Sequence, residues 1–364
     1  MKTAHFHPSG EIRVTEIPEP RATAGTVVLE VRSAGICGSD LHYLHGKNPW
    51  GSTLSWPRRA GHELAGVIVE VGPEVVGLEV GDRVGVEPMH LAACGRCGTC
   101  REGHGHVCPD RGLVDGQRWS SAGFSELDVA LASHVHRLPE GLGFDAGALA
   151  DVYACGVHAL HRVADRDLRR VAIVGSGAIA LTLGQLARAR GAGLVAMVAR
   201  REAAAVRARA AGAADVTIVS SDAEESGARV RDLMAGVGAD VVFETVGGEG
   251  QALDTAIACA APRATVVVLG AFWDDVRLRY ALANRKELDL RFSNSYGEWQ
   301  QVREYALALD ELASGRVDGA PLVTHRVPLG EIRAGFDAAL DRRRSDAVKV
   351  MVHPTGGIPF QGAP

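Results

Sequence analysis

Two hydrophobic periods alternate along this chain, and the change between them marks its organisation. Over roughly the first 90 residues the apolar positions form short β-branched runs. Residues 27–31 and 66–71 are such runs, with Gly and Pro between them, and Gly81-Asp82-Arg83-Val84 is a turn entering another strand. This predicts a small, mostly antiparallel barrel or sandwich. From about residue 145 the pattern changes. Residues 145–163 read as a helix, and 170–174 as a buried strand running into a glycine turn and a helix that continues to about residue 190. Strands are predicted at 194–198, 216–219, 240–244 and 265–270, with helices at 201–212, 222–236 and 249–261. That alternation predicts a doubly wound parallel sheet. A last helix is predicted near 298–315. A strand at 348–352 returns to the earlier patterning and is expected to pack on the first domain.

Composition narrows the class. At 364 residues the chain exceeds what one core usually carries, so two domains are expected. Hydrophobic residues make up 46%, mean hydropathy is +0.03 and net charge is −5, values of a soluble globular protein that give no support for a nucleic-acid surface. Only four of the 39 basic residues are Lys, which reads as the composition of a GC-rich genome. The first residues lack an apolar signal segment and no apolar run reaches the roughly 18 residues that span a bilayer, so a cytoplasmic location is expected. Seven cysteines, four of them clustered, suggest metal before disulfides in a reducing compartment.

The chemistry concentrates in four places. Gly35-Ile-Cys37-Gly-Ser39-Asp40-Leu-His42 sets a thiol, a hydroxyl, a carboxylate and an imidazole within six residues. Gly61-His62-Glu63 follows 25 residues after Cys37. Cys37 and His62 look like two ligands of one metal. Cys94, Cys97, Cys100 and Cys108 have the spacing of a closed, structural tetrahedral zinc site. Such a lobe, poor in apolar residues, would take its fold from the metal. On the helix 145–163, Asp151, Cys155 and His158 fall on one face.

Gly175-x-Gly177-x-x-Ala180 fits the dinucleotide fingerprint, because it follows a strand and opens a helix. Its glycines would admit the pyrophosphate, and the helix N-terminus would stabilise its charge. The second strand leads to Arg200 and Arg201 where an acid would bind a ribose hydroxyl. Arg accommodates a 2′-phosphate, so NADP(H) is favoured over NAD(H). Gly270, closing the strand 265–270, is a further candidate contact.

Over nearly its whole length the chain resembles the zinc-containing medium-chain alcohol dehydrogenase family, in its polyol, sorbitol and threonine dehydrogenase-like branch. The resemblance rests on Cys37 to His42, Gly61-His62-Glu63, Gly81 to Val84, the four-cysteine lobe, Gly175 to Ala180 and Glu244-Thr-Val-Gly247. It implies an α/β chain: a GroES-like β-rich catalytic domain over 1–148 with a zinc lobe at 94–108, a Rossmann domain over 149–298, and a return to the catalytic domain over 299–364. The active site is implied in the cleft.

The resemblance also implies roles. Cys37 and His62 match catalytic zinc ligands, and Glu63 the acid beside the metal. Ser39 matches the hydroxyl that starts a proton relay, with His42 a later member, and Asp40 the carboxylate that orients the ligand His. Ile179 is similar to the residue behind the nicotinamide, and Lys349 to one that reaches the cofactor phosphates. The third ligand departs from the familiar members. Family register puts Asp151 there, with Cys155 as rival; His158 is expected to serve helix packing. His45, Asn48, Trp50, Trp56, Trp119 and Tyr296 are candidates for the substrate mouth. Two zinc ions per subunit, a secondary alcohol or ketone substrate of sugar-like or cyclitol-like character, and a homodimer or homotetramer are expected. The alternatives are a zinc-dependent NADPH reductase of aldehydes or activated alkenes, and a non-redox enzyme on the same fold.

Overall fold

A computed structural model describes residues 1–44, 46, 56–114, 116–248, 250–272 and 274–355; His45, Asn48 and Trp50 lie outside them. The chain forms two compact units. One comprises Met1–Asp151, Gly297–Ser314 and Val323–Pro364, the other Val152–Tyr296 and Gly315–Leu322.

The first unit is built on a seven-stranded sheet. Its order is Val323–Pro328, Lys349–His353, Thr26–Gly35, Glu63–Val71, Arg83–Val86 and Val135–Arg137, and Leu127–Leu131 also pairs with Thr26–Gly35. The β-branched run expected at 27–31 extends to Gly35 and is buried along most of its length, as suits a central strand. The strand Lys349–His353 is internal to the sheet. Beneath it, the rings of Phe6, Phe124 and Phe336 meet at centroid distances of 5.2 to 6.1 Å. All three are fully buried, each contributing about 1.5–3 kcal/mol by leaving water.

Asp145 fixes the start of the helix Phe144–His161 against this sheet. Its carboxylate accepts from Ser33 at 2.6 Å and from Arg326 at 2.8 Å, and lies 2.8 Å from His353 Nε2. Burial alone would raise its pKa, but the bonds from His353, Ser33 and Arg326 outweigh that and hold it down at about 2.

The second unit is a six-stranded parallel sheet in the order Val216–Val219, Leu194–Ala199, Arg170–Val174, Ala239–Glu244, Ala260–Val268 and Asp289–Phe292. Strand order reverses between Arg170–Val174 and Ala239–Glu244, and in open sheets that is where ligands bind.

Two segments differ from expectation. The helix placed near 298–315 starts only at Glu304 and ends at Ala313, after a short hairpin of Glu298–Trp299 and Val302–Arg303. The stretch Gly315–Leu322 groups with the second unit, where Gln185 bonds both the carbonyl and the N–H of Asp318. Among the described residues no helix is long and apolar enough to cross a membrane.

Candidate metal centre and nucleotide turn

Strand register explains why Cys37 and His62 meet. Gly35 pairs antiparallel with Glu63 on one side and with Met351 on the other, and Ile36 N–H bonds Val350 O at 2.9 Å. The chain past Gly35, the chain before Glu63 and the start of the Lys349 strand therefore share one end of the sheet. The helix Gly38–Leu44 begins there. Asp40 Oδ2 accepts from Cys37 N–H at 2.9 Å, and its Oδ1 lies 3.7 Å from His62 Nδ1. Asp40 is 1% exposed, so this carboxylate anchors the thiol-bearing turn from within the fold and stands beside the imidazole, its Oδ1 without a hydrogen-bond partner among the described residues.

Donor atoms of Cys37, His62 and Glu63 all lie within 4.8 Å of one another. Sulfur, imidazole nitrogen and carboxylate oxygen are the donors zinc accepts, so the residues fit a divalent metal. Burial pulls the His62 pKa down, but Cys37 and Asp40, with smaller help from Asp151, raise it well above its usual value. Asp151 is buried in the same unit and stands outside the three-residue group. Ser39 and His42 are half-buried on the helix that Cys37 precedes. Cys155 and His158 belong to the second unit.

Lys349 pairs with the acid of the metal group. Its Nζ donates to both oxygens of Glu63 at 2.6 Å and to Ile36 O at 3.3 Å, with the side chain 4% exposed. Its ammonium thus joins the acid that stands beside Cys37 and His62. Burial opposes its charge, yet Glu63 and Cys37 raise its pKa. Gly35 makes room for this pair, since a Cβ there would collide with Glu63 Oε2.

The four-cysteine lobe forms a second group. Its sulfur separations are 3.3 Å for Cys97–Cys100, 3.6 Å for Cys94–Cys108, and 3.9 Å for both Cys94–Cys100 and Cys97–Cys108. A zinc tetrahedron with bonds of about 2.3 Å has edges of about 3.8 Å. All four are free thiols, and the spacing fits a metal closed by sulfur. Cys97 caps the short helix Gly98–Arg101, its sulfur accepting from Cys100 N–H at 3.4 Å. Backbone N–H groups of Arg96 and Cys97 hold the Cys94 thiol down at about 6, whereas burial and then Cys97 push Cys100 up to about 12.

In the second unit, Arg170–Val174 runs into Gly175 at φ +121°, where a Cβ would collide with Thr245. Gly177 precedes the helix Ala178–Ala189, whose N-terminus has no side-chain cap. Its first N–H groups are thus left for an anion. Ile179 is in the first turn and Ala180 is fully buried. Val174 pairs with Val198, so Arg200 emerges beside this turn, exposed, and Arg201 precedes the helix Glu202–Ala210. Glu244 shapes the facing loop by accepting from Val246 and Gly247 N–H at 2.7 and 2.8 Å. Gly270 packs against Gly247 so closely that a Cβ would collide with its backbone.

Sequence reasoning missed Arg58, His90 and Arg111. The His90 ring stands edge-on to that of His62 at 5.6 Å, and no motif or spacing marks any of the three.

Residues 23–140 match the model of the alcohol dehydrogenase GroES-like domain, and residues 178–313 that of zinc-binding dehydrogenase. Sorbitol dehydrogenase of Bacillus subtilis (strain 168) is 31% identical over 356 residues, 97% of this chain and 97% of that one. The structure of galactitol-1-phosphate dehydrogenase from Escherichia coli aligns with TM-score 0.82 at 27% identity, over 97% of this chain and 100% of that one. A protein of Sinorhizobium meliloti 1021, assigned as a zinc-binding dehydrogenase and solved bound to NADP, aligns with TM-score 0.84 at 27% identity, over 97% and 99%.

Proposed function

The chain belongs to the zinc-containing medium-chain alcohol dehydrogenase family, and from that premise we propose that it interconverts a polyhydroxylated secondary alcohol and its ketone. It is an oxidoreductase that uses a nicotinamide cofactor. The observation that carries the reading is the convergence of Cys37, His62 and Glu63 at the end of the sheet where the Ser39 helix begins.

In this reading Cys37, His62 and Asp151 hold the catalytic zinc, and Cys94, Cys97, Cys100 and Cys108 hold a second, structural one. Both Glu63 oxygens are bonded by Lys349, which favours Asp151 as the third ligand. Zinc supplies a Lewis acid that polarises the substrate oxygen, and the nicotinamide supplies the hydride acceptor or donor. Asp40 keeps the His62 ring aimed. In the oxidative direction Ser39 Oγ takes the substrate hydroxyl proton, which leaves toward solvent by way of His42. Ile179 backs the nicotinamide, and the turn from Gly175 to Ala180, with Gly270, positions the cofactor. A homodimer or homotetramer in the cytoplasm is part of the proposal.

Ser39→Ala should lower kcat by about 10²-fold or more, the scale of a lost proton-transfer group, with zinc content unchanged. Steady-state kinetics alongside metal analysis checks this. An unchanged kcat would remove Ser39 from the relay.

The finer cofactor choice rests on Arg200 and Arg201. Replacing both by Ala should raise KM for NADP⁺ by about 10- to 100-fold, the value of one to two charge-assisted hydrogen bonds. KM for NAD⁺ should stay within a factor of about two to three. Equal losses with both cofactors would argue against a 2′-phosphate contact.

A further inference from the structure

Among the described residues, two guanidinium groups near the metal donors pair with no acid. Arg58 Cζ lies 4.4 Å above the ring of Tyr43, on the helix that also carries Ser39 and Asp40. Its Nε is buried without a hydrogen-bond partner. Arg111 donates from Nη1 to the His106 carbonyl at 3.0 Å. Among the described residues neither forms an ion pair.

His90 and Tyr43 connect both cations to the centre. His90 is exposed. Gly112, the residue after Arg111, packs against the His90 backbone, where a Cβ would stand 3.5 Å from His90 Cα, and the His90 ring is 5.6 Å from that of His62. Burial raises the Tyr43 pKa, while Arg58 and Arg111 lower it and Asp40 and Cys37 raise it further. Both cations therefore act within electrostatic reach of the groups around Cys37 and His62.

The nearby acids have other partners. Asp40 bonds Cys37 N–H and faces His62, and Glu63 pairs with Lys349. In sequence, residues 44–57 contain no Asp or Glu and one further base, Lys47. A half-buried guanidinium with no counter-charge is costly, and its planar fork matches phosphate or carboxylate. The exposed His90 ring can hydrogen-bond hydroxyls beside the anion.

We propose that Arg58 and Arg111 form an anion-recognising subsite beside the metal centre, so that the substrate is a polyhydroxylated alcohol bearing a phosphate or carboxylate group. This rests on the oxidoreductase reading above and narrows its substrate.

The test uses the zinc-loaded enzyme with NADP⁺ and three substrates: sorbitol 6-phosphate, D-gluconate and sorbitol. One of the two anions should exceed sorbitol in kcat/KM by about 10-fold or more, and which one does separates phosphate from carboxylate. Arg58→Gln and Arg111→Gln should each reduce that preference by about 10- to 100-fold, the value of a charged hydrogen bond. Arg58→Lys, which keeps the charge without the fork, should lose less. A binding arm needs no turnover: inorganic phosphate, titrated calorimetrically, should bind the wild type at least about 10-fold tighter than the double Gln variant at equal zinc content and circular dichroism. Preference for sorbitol over both anions, or equal phosphate affinity in wild type and double variant, overturns the subsite. Phosphate binding lost in the variant, with none of the three substrates oxidised, upholds the subsite and counts against the polyhydroxylated-alcohol reading.

Discussion

A Cys37→Ala protein prepared with saturating zinc should carry one zinc per subunit in place of two and should lose hydride transfer by on the order of 10³-fold or more. Removing the Lewis acid removes several kcal/mol of charge stabilisation from the reacting oxygen, and about 1.4 kcal/mol corresponds to each factor of ten. Cys37 is suited to this test because its surroundings are otherwise retained. Asp40 accepts from the Cys37 backbone N–H, a bond that Ala keeps, so the helix Gly38–Leu44 should stay in place. His62→Ala should give the same two readings. Elemental analysis and NADPH absorbance check both, and an unaltered rate in a Cys37→Ala protein holding a single zinc would refute the assignment.

The second large effect belongs to the other sulfur group. Cys97→Ser should abolish zinc binding in the lobe, lower Tm by roughly 10 °C, and open the chain between residues 94 and 112 to proteolysis. The substitution is nearly isosteric and Cys97 is half-buried, so little packing is lost with it. What goes is the atom that caps Gly98–Arg101 and stands 3.3 Å from Cys100 and 3.9 Å from Cys108. Few large apolar side chains are buried in this stretch, so an ion held there would supply most of its local stability. Thermal melts with and without chelator measure this. A Cys97→Ser protein with two zinc ions and an unshifted melt would show that Cys97 is not needed to hold the lobe's metal.

Much of this was legible in sequence because its signals are local. The strand–helix alternation past residue 170 follows apolar periodicity, the metal donors stand in tight clusters, and the glycine turn has a fixed spacing. What the sequence left unread has non-local or chemically silent causes. Lys349 and Glu63 are 286 residues apart, and no pattern announces that a strand near the end of the chain will lie beside Gly35. The hairpin before Glu304 turns on Gln300 and Gln301 at φ +50° and +66°, positions where Gly or Asn would have been the readable signal. Arg58 and Arg111 resemble any other residue of an Arg-rich chain until their neighbours are known.

The placement of Lys349–His353 inside the first sheet also bears on biosynthesis. The second unit is almost continuous in the chain, so it can close while translation is still under way. The first sheet must wait for a strand made among the last residues, which also delivers the lysine that neutralises Glu63. A ribosome-stalled chain ending before residue 340 should therefore already protect its parallel sheet from protease, while the segments around Cys37 and His62 are still open to any thiol reagent or chaperone that reaches them.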